Sequence, residues 1–225
     1  MKIGLLGTGN LAVTLGRAWA GAGGHSIVVT GRSPGRATAA AEQIGAAAAA
    51  VDPRELANLA DVVVVAVSWE GLESALTLVG GPEGALAGKT VIDCTNPVDY
   101  ATGRVLPASG SAAEAVARVA AGASVVKALH LFAGASWPFT GDPDAAPVVA
   151  ICGDDPGALN GVAALIGDLG GRTAVLGGLD AARQAEEAAG FVMRVVAAGA
   201  NPRLAVPDVD PAAVLAVAVP PATRG

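Results

Sequence analysis

An α/β architecture, a doubly wound parallel sheet with helices on both faces and a small C-terminal α/β extension, is predicted by three observations. The chain opens on the apolar run Ile3-Gly4-Leu5-Leu6, turns at Gly7-Thr8-Gly9-Asn10-Leu11-Ala12 and passes directly into a helical pattern. Asp61-Val62-Val63-Val64-Val65-Ala66-Val67 is a continuous β-branched run, the mark of a central parallel strand covered on both faces. Strand-like and helix-like segments then alternate along most of the 225 residues.

Taken in order, the second strand is Ser26-Ile27-Val28-Val29-Thr30, followed by a helix over 33–43 with Ser33 as N-cap and Pro34 at its first position. A short strand covers 46–51, and Asp52-Pro53-Arg54-Glu55 has the form of a capping-box helix start. A helix over 70–79 leads to the strand Thr90-Val91-Ile92-Asp93 and the polar turn Thr95-Asn96-Pro97-Val98. Ser111-Ala112-Ala113-Glu114 repeats the capping signal before the strand Ser124-Val125-Val126-Lys127-Ala128-Leu129. A Pro/Gly-containing loop over 134–146, a strand over 147–152, a helix opened by Gly153-Asp154-Asp155-Pro156, a strand over 173–176 and a long helix over 180–199 complete the pattern. Residues 202–225 are expected to be loosely ordered. The chain divides into a nucleotide-binding part, 1–130, and a smaller C-terminal substrate and dimerisation part, 131–225.

The first turn carries the chemistry. A strand ending in G-x-G-x-x-G/A brings backbone N–H groups and the positive end of a helix up to a pyrophosphate. Gly7 permits the tight turn, Gly9 removes the Cβ that would strike the phosphates, and Ala12 lets the helix pack close to the sheet. Because the chain holds 31 glycines, the motif gains its weight from position: it follows a strand, precedes a helix and is succeeded by a second strand at the βαβ distance. A Rossmann-type dinucleotide site is the result. At the end of the second strand an NAD site carries Asp or Glu for the ribose 2′-hydroxyl, whereas this chain has Thr30-Gly31-Arg32-Ser33 and, one turn on, Arg36. Arg32 can fork onto a 2′-phosphate or stack on adenine while Thr30 or Ser33 donates from the side. Charge-assisted hydrogen bonds worth about 1.5–3 kcal/mol each favour NADP(H) over NAD(H) by about tenfold or more.

Ligands of such sheets lie beyond the carboxyl ends of the strands. Ser68-Trp69-Glu70, Asn96-Pro97-Val98 and His130-Leu131-Phe132-Ala133 all fall at that edge and form the candidate rim. His130 either hydrogen-bonds a ring carbonyl or supplies a proton, or is satisfied by backbone at a strand end. Trp69 either walls the nicotinamide or fills core. Glu70 reads as a helix-start carboxylate, and Asp154 and Asp155 as helix caps.

Composition narrows the function further. A net charge of −6 with no basic run excludes a nucleic-acid binder. Cys94 and Cys152 lack C-x-x-C spacing and read as buried free thiols, and with only His25 and His130 available no histidine metal cluster is expected. Met1-Lys2 runs straight into the first strand, and the Ala-rich stretch 37–50 is interrupted by Glu42 and Gln43; the chain is expected to be cytoplasmic, with no membrane partner.

With these segments placed, the chain resembles the NADPH-dependent reductases of the deazaflavin coenzyme F-420. The resemblance rests on Gly7-Thr8-Gly9-Asn10-Leu11, Gly31-Arg32, Trp69-Glu70, Val125-Val126-Lys127-Ala128-Leu129-His130 and Cys152-Gly153-Asp154-Asp155, and extends to about Val206. It implies hydride exchange between NADPH and a deazaflavin stacked on the nicotinamide, and a homodimer. By the same resemblance Thr8, Asn10, Leu11, Thr30, Arg32, Ser33 and Arg36 hold NADPH, while His130 and Ala133 lie beside the deazaflavin. The complete expected site is then Gly7, Thr8, Gly9, Asn10 and Leu11; Thr30, Gly31, Arg32, Ser33 and Arg36; and Ser68, Trp69, Asn96 and Pro97 for the cofactor. Val98, His130 and Ala133 serve the substrate. Such hydride transfer needs placement and water exclusion more than side-chain chemistry. Competing readings are an NADPH-dependent flavin (FMN) or quinone reductase, and an NADP(H)-binding redox sensor without turnover. An imine reductase, built around a long helical C-terminal domain, is disfavoured by the short chain left after Asp180.

Overall fold

A computed structural model of the chain describes residues 1–132 and 134–206. Its central sheet has the order β10-β9-β8-β5-β4-β1-β2-β3. The strands are β1 (Lys2–Leu6), β2 (Ser26–Thr30), β3 (Ala48–Ala50), β4 (Val62–Val65), β5 (Thr90–Asp93), β8 (Ser124–Lys127), β9 (Val148–Gly153) and β10 (Arg172–Gly177). From β3 through β8 every neighbouring pair is parallel, the Rossmann-type arrangement, with the order turning back at β1. A ligand crevice lies at such a reversal.

The helices are α1 (Asn10–Ala22), α2 (Pro34–Ile44), α3 (Leu56–Leu59), α4 (Leu72–Leu78), α5 (Ala112–Val119), α6 (Pro156–Asp168) and α7 (Ala182–Ala197). They form two layers because the strands are apolar on both faces. In β4, Val62 and Val64 enter the core under α1, α2 and α6, whereas Val63 and Val65 enter the core under α3, α4, α5 and α7. Ala12, Leu15, Gly16 and Trp19 make the buried stripe of α1 at helical spacing. The Trp19 indole donates to the Leu165 carbonyl at 2.9 Å, locking α1 to α6 across the long sequence gap.

Four features depart from the sequence reading. The helix start at Asp52 yields only a 3-10 turn, Pro53–Glu55, and the four-residue α3, and the helix expected from residue 70 opens as the 3-10 turn Trp69–Gly71 before α4. After the turn at 95–98 the chain forms a small antiparallel hairpin, β6 (Val98–Asp99) with β7 (Arg104–Val105). Finally, β9 runs antiparallel to β8, and β10 runs parallel to β9. A parallel strand needs a crossover element, but among the described residues between β8 and β9 only the 3-10 turns Gly134–Ser136 and Pro143–Ala145 intervene, so β9 starts from the edge where β8 ends. The C-terminal α/β segment therefore extends the same sheet with its direction reversed. That reversal carries Asp154 and Asp155 away from the ligand edge, where Asp155 caps α6 through the Ala158 N–H and Asp154 accepts from the Leu179 N–H at 2.9 Å.

Ala133, expected beside the substrate, lies outside the described residues, as do residues 207–225 of the stretch expected to be loose. Residues Pro202–Leu204 of that stretch form a 3-10 turn.

Candidate active site

At the end of β1, Gly7 takes φ +138° and its N–H donates to the Thr30 carbonyl at 3.0 Å. A Cβ at residue 7 would collide with the Ala66 carbonyl, so no other residue fits the turn. Gly9 differs: it caps α1 with extended backbone, and a Cβ built on it would meet nothing within 4 Å. No side chain caps α1 there and its first turn holds no acidic residue, so the first N–H groups and the positive helix end face open space.

A cavity of about 220 Å³ lies over this turn, bordered by Gly7, Thr8 and Gly9 on one side and Arg32, Ser33 and Arg36 on the other. Two guanidinium groups and no carboxylate stand among its described lining residues, which suits an anion of high charge. Ser33 also caps α2, as expected, its hydroxyl oxygen accepting from the Arg36 N–H at 3.4 Å. Thr30 is set apart from this group. Its side chain is buried and its hydroxyl donates to the Val51 carbonyl at 2.9 Å, leaving lateral donation to Ser33.

Val67 and Ser68 border this cavity and a second one of about 290 Å³. The second is walled by Leu11, Trp69, Asn96, Val98, His130 and Phe132, with Cys94 and Tyr100 also on its lining. Trp69 lines the second cavity and also packs on the core beneath α4. Phe132 stacks on Trp137 with ring centroids 5.8 Å apart, bracing the far wall. Asn96 Nδ2 donates to the His130 carbonyl at 2.7 Å, which joins two of the rim segments and fixes the amide so that Oδ1 is an acceptor. Pro97 is buried behind the cavity, its carbonyl accepting from the Leu106 N–H at 2.7 Å.

Asn96 Oδ1, His130 Nδ1 and Thr95 Oγ1 are buried without a hydrogen-bond partner among the described residues. Two of these residues, Asn96 and His130, line the second cavity, and because buried polar atoms are nearly always paired, their free atoms are groups that a ligand or ordered water in the cavity can complete. Burial, and then the nearby Lys127 ammonium, push the His130 imidazole down from 6.5 to about 4. It is neutral at pH 7, fit to hydrogen-bond and orient a ligand rather than to deliver a proton. Burial pushes the Cys94 thiol far up, so it is inert on the cavity wall.

The family model described as NADP oxidoreductase, coenzyme F420-dependent, matches residues 2–97, which run from the first strand through the Asn96 turn. The family resemblance holds over that segment. No curated protein sequence matches the chain. Among solved structures, a protein from Arthrobacter sp. FB24 provisionally named an F420-dependent NADP-reductase is 29% identical, with a TM-score of 0.76 over 89% of this chain and 96% of that one. The hypothetical protein SMa0349 from Sinorhizobium meliloti is 26% identical, with a TM-score of 0.65 over 80% of this chain and 86% of that one. An imine reductase from Myxococcus stipitatus in complex with NADP+ is 18% identical and shares the fold, with a TM-score of 0.63 over 88% of this chain but 63% of the longer protein.

The F420-dependent family's matched segment contains both cavities' N-terminal walls and ends just after Asn96; His130, Phe132 and the C-terminal helices lie beyond it. Sequence reasoning passed over Asp93, Lys127 and Glu186, which form a buried charged cluster beneath the second cavity. Asp93 sat in view at the end of one predicted parallel strand and Lys127 within another, which the structure ends at Lys127. Two opposite charges on adjacent apolar strands were the available signal, but nothing linked Glu186, on a distant helix, to them.

Proposed function

We propose that the protein transfers a hydride between NADP(H) and the deazaflavin coenzyme F-420. The coarser part of this reading, an NADP-dependent oxidoreductase, is supported by the family match and by neighbours solved with NADPH or NADP+. The observation that carries it is the pair of adjoining cavities: one bordered by the glycine turn and Arg32, Ser33 and Arg36, the other by aromatic walls and the unpaired Asn96 Oδ1 and His130 Nδ1.

In this reading the α1 N-terminus with Gly7, Thr8, Gly9 and Asn10 takes the pyrophosphate, and Gly31, Arg32, Ser33 and Arg36 take the 2′-phosphate end. Ser68, Trp69 and Asn96 then guide the nicotinamide into the second cavity beside Leu11. When bound, NADPH supplies a hydride from the nicotinamide C4. Trp69, Val98 and Phe132 exclude water and hold a flat acceptor against that ring, and His130 orients its polar edge. The part of the chain from 131 onward completes the acceptor side. A second copy covering the exposed apolar residues Phe191 and Val196 of α7 belongs to the same reading.

The name borne by the Arthrobacter protein and the family description favour a deazaflavin over other acceptors. The test mixes the protein with NADPH and F-420, FMN, a quinone or a cyclic imine, following the nicotinamide absorbance. Rapid oxidation with F-420 alone supports the proposal. Faster turnover with FMN or quinone replaces the acceptor, and tight NADPH binding with no turnover on any acceptor points to a redox sensor.

A further inference from the structure

Beneath the second cavity lies a buried network that joins the C-terminal helix α7 to the rim. The side chains of Asp93, Lys127 and Glu186 are all fully buried. Lys127 Nζ donates to Asp93 Oδ2 at 2.9 Å, to Glu186 Oε1 at 2.9 Å and to the Thr95 carbonyl, so all three of its donors are used. Asp93 Oδ1 in turn accepts from the Thr95 N–H at 2.9 Å. Thr95 is thus gripped at both its N–H and its carbonyl by one ion pair. The Glu186 carboxylate also accepts from the Ala112 N–H, at 2.9 Å on Oε1 and 3.1 Å on Oε2, where the N-terminus of α5 balances the second carboxylate.

The grip reaches the site through the next residue. Asn96 follows Thr95 and holds the His130 carbonyl, and His130 follows Leu129, which sits at φ +56°, a left-handed conformation a leucine rarely adopts. The Asp93 carbonyl accepts from the Ala128 N–H at 3.1 Å, anchoring the same strand end. Such a conformation persists only where its surroundings over-determine it, and such sites gather where geometry serves function. For stability alone an apolar filling would do as well as a buried ion pair. Burial lowers the affinity of Lys127 for its proton, but the two carboxylates outweigh it and hold the ammonium above the ordinary lysine range.

We propose that Glu186 and Lys127 are positioning residues for hydride transfer, acting through Asp93 and Thr95 to set Asn96 and His130 against the nicotinamide and its acceptor. This rests on the reading of the second cavity as the nicotinamide and acceptor site. The network leaves the glycine turn and Arg32 untouched, so the two ends of the cofactor should respond differently to its loss.

The experiment compares the affinity for intact NADPH with that for 2′,5′-ADP, a fragment lacking the nicotinamide, in wild type, Glu186→Ala, Glu186→Asp and Glu186→Gln. Glu186→Ala is expected to leave the fragment affinity within about twofold while the advantage of NADPH over the fragment shrinks by about tenfold, with kcat falling at least as much. Glu186→Gln, which keeps an acceptor for Lys127 and the Ala112 N–H, should restore most of that advantage. Glu186→Asp keeps the charge but falls one methylene short; it carries the same expectation as Glu186→Ala if the alanine variant does not fold. An unchanged ratio and kcat in folded Glu186→Ala or Glu186→Asp overturns the positioning role while the cofactor reading stands. Failure of wild type to bind either nucleotide overturns the cofactor reading itself.

Discussion

The two adjoining cavities are built on different physical terms. The first uses main chain and exposed charge: an uncapped helix terminus, a glycine at positive φ, and guanidinium groups at the mouth of a parallel sheet. All of it comes from residues close in sequence, in β1, α1 and the β2–α2 turn. The second cavity is assembled from the ends of β4, β5 and β8 and from α1, braced by a helix near the end of the described chain, and two polar atoms of its lining, Asn96 Oδ1 and His130 Nδ1, are buried and unpaired among the described residues. In the proposed function exposed guanidinium charge meets a hydrated phosphate, whereas the charges of Asp93, Lys127 and Glu186 near the second cavity are fully buried and the exposed Glu70 carboxylate stands on that cavity's lining.

The contrast breaks most sharply at Gly9. Gly9→Val fills open space rather than a packed core, so the protein should fold with an unchanged melting temperature while NADPH affinity falls by about a hundredfold or more. Retained affinity in calorimetric titration would show that the nucleotide does not cross this turn. Arg32→Ala should weaken NADPH by about tenfold or more and NADH far less, because only the former carries the 2′-phosphate. Equal losses would assign Arg32 to adenine stacking alone.

His130 tests the buried end through pH. Its folded-state value of about 4 lies below the ordinary 6.5, so the unfolded chain binds the extra proton first as pH falls. The stability tied to neutral His130 is fully present above about pH 6.5 and is lost progressively down to about pH 4, amounting to at most about 3 kcal/mol. His130→Gln should flatten the urea-unfolding profile over that window. A profile as steep as wild type would place the effect elsewhere. The smallest effect separates Thr30 from its neighbours: Thr30→Val should leave NADPH affinity within about twofold while costing about 1 kcal/mol of stability, since its hydroxyl serves the Val51 carbonyl. A large affinity loss with unchanged stability would return Thr30 to the cofactor.

The architecture was legible wherever local chemistry and tertiary packing agree. Val62–Val65 is apolar on both faces and became a central strand, and Ser111 caps its helix by accepting from the Glu114 N–H at 3.1 Å, as the spacing required. The reading missed where a decision depended on something distant. Nothing in Pro147–Cys152 says which way β9 runs; that follows from the absence of a helix among the described residues of the preceding loop. Thr30 has the right residue type for a phosphate donor, yet the neighbouring strand-end carbonyl of Val51 claims its hydroxyl.

From residue order alone come the Rossmann-type sheet, the glycine turn that can approach a pyrophosphate, and the basic, carboxylate-free turn after β2. Each is written within a few consecutive residues, because turns, strand periodicity and helix starts are short-range matters. Folding in three dimensions settles which polar atoms are left unpaired, that Leu129 is held in a left-handed conformation, and that Glu186 meets Lys127, which bridges it to Asp93, under the second cavity. Those outcomes depend on desolvation and on contacts between segments far apart in the chain, which no local pattern encodes.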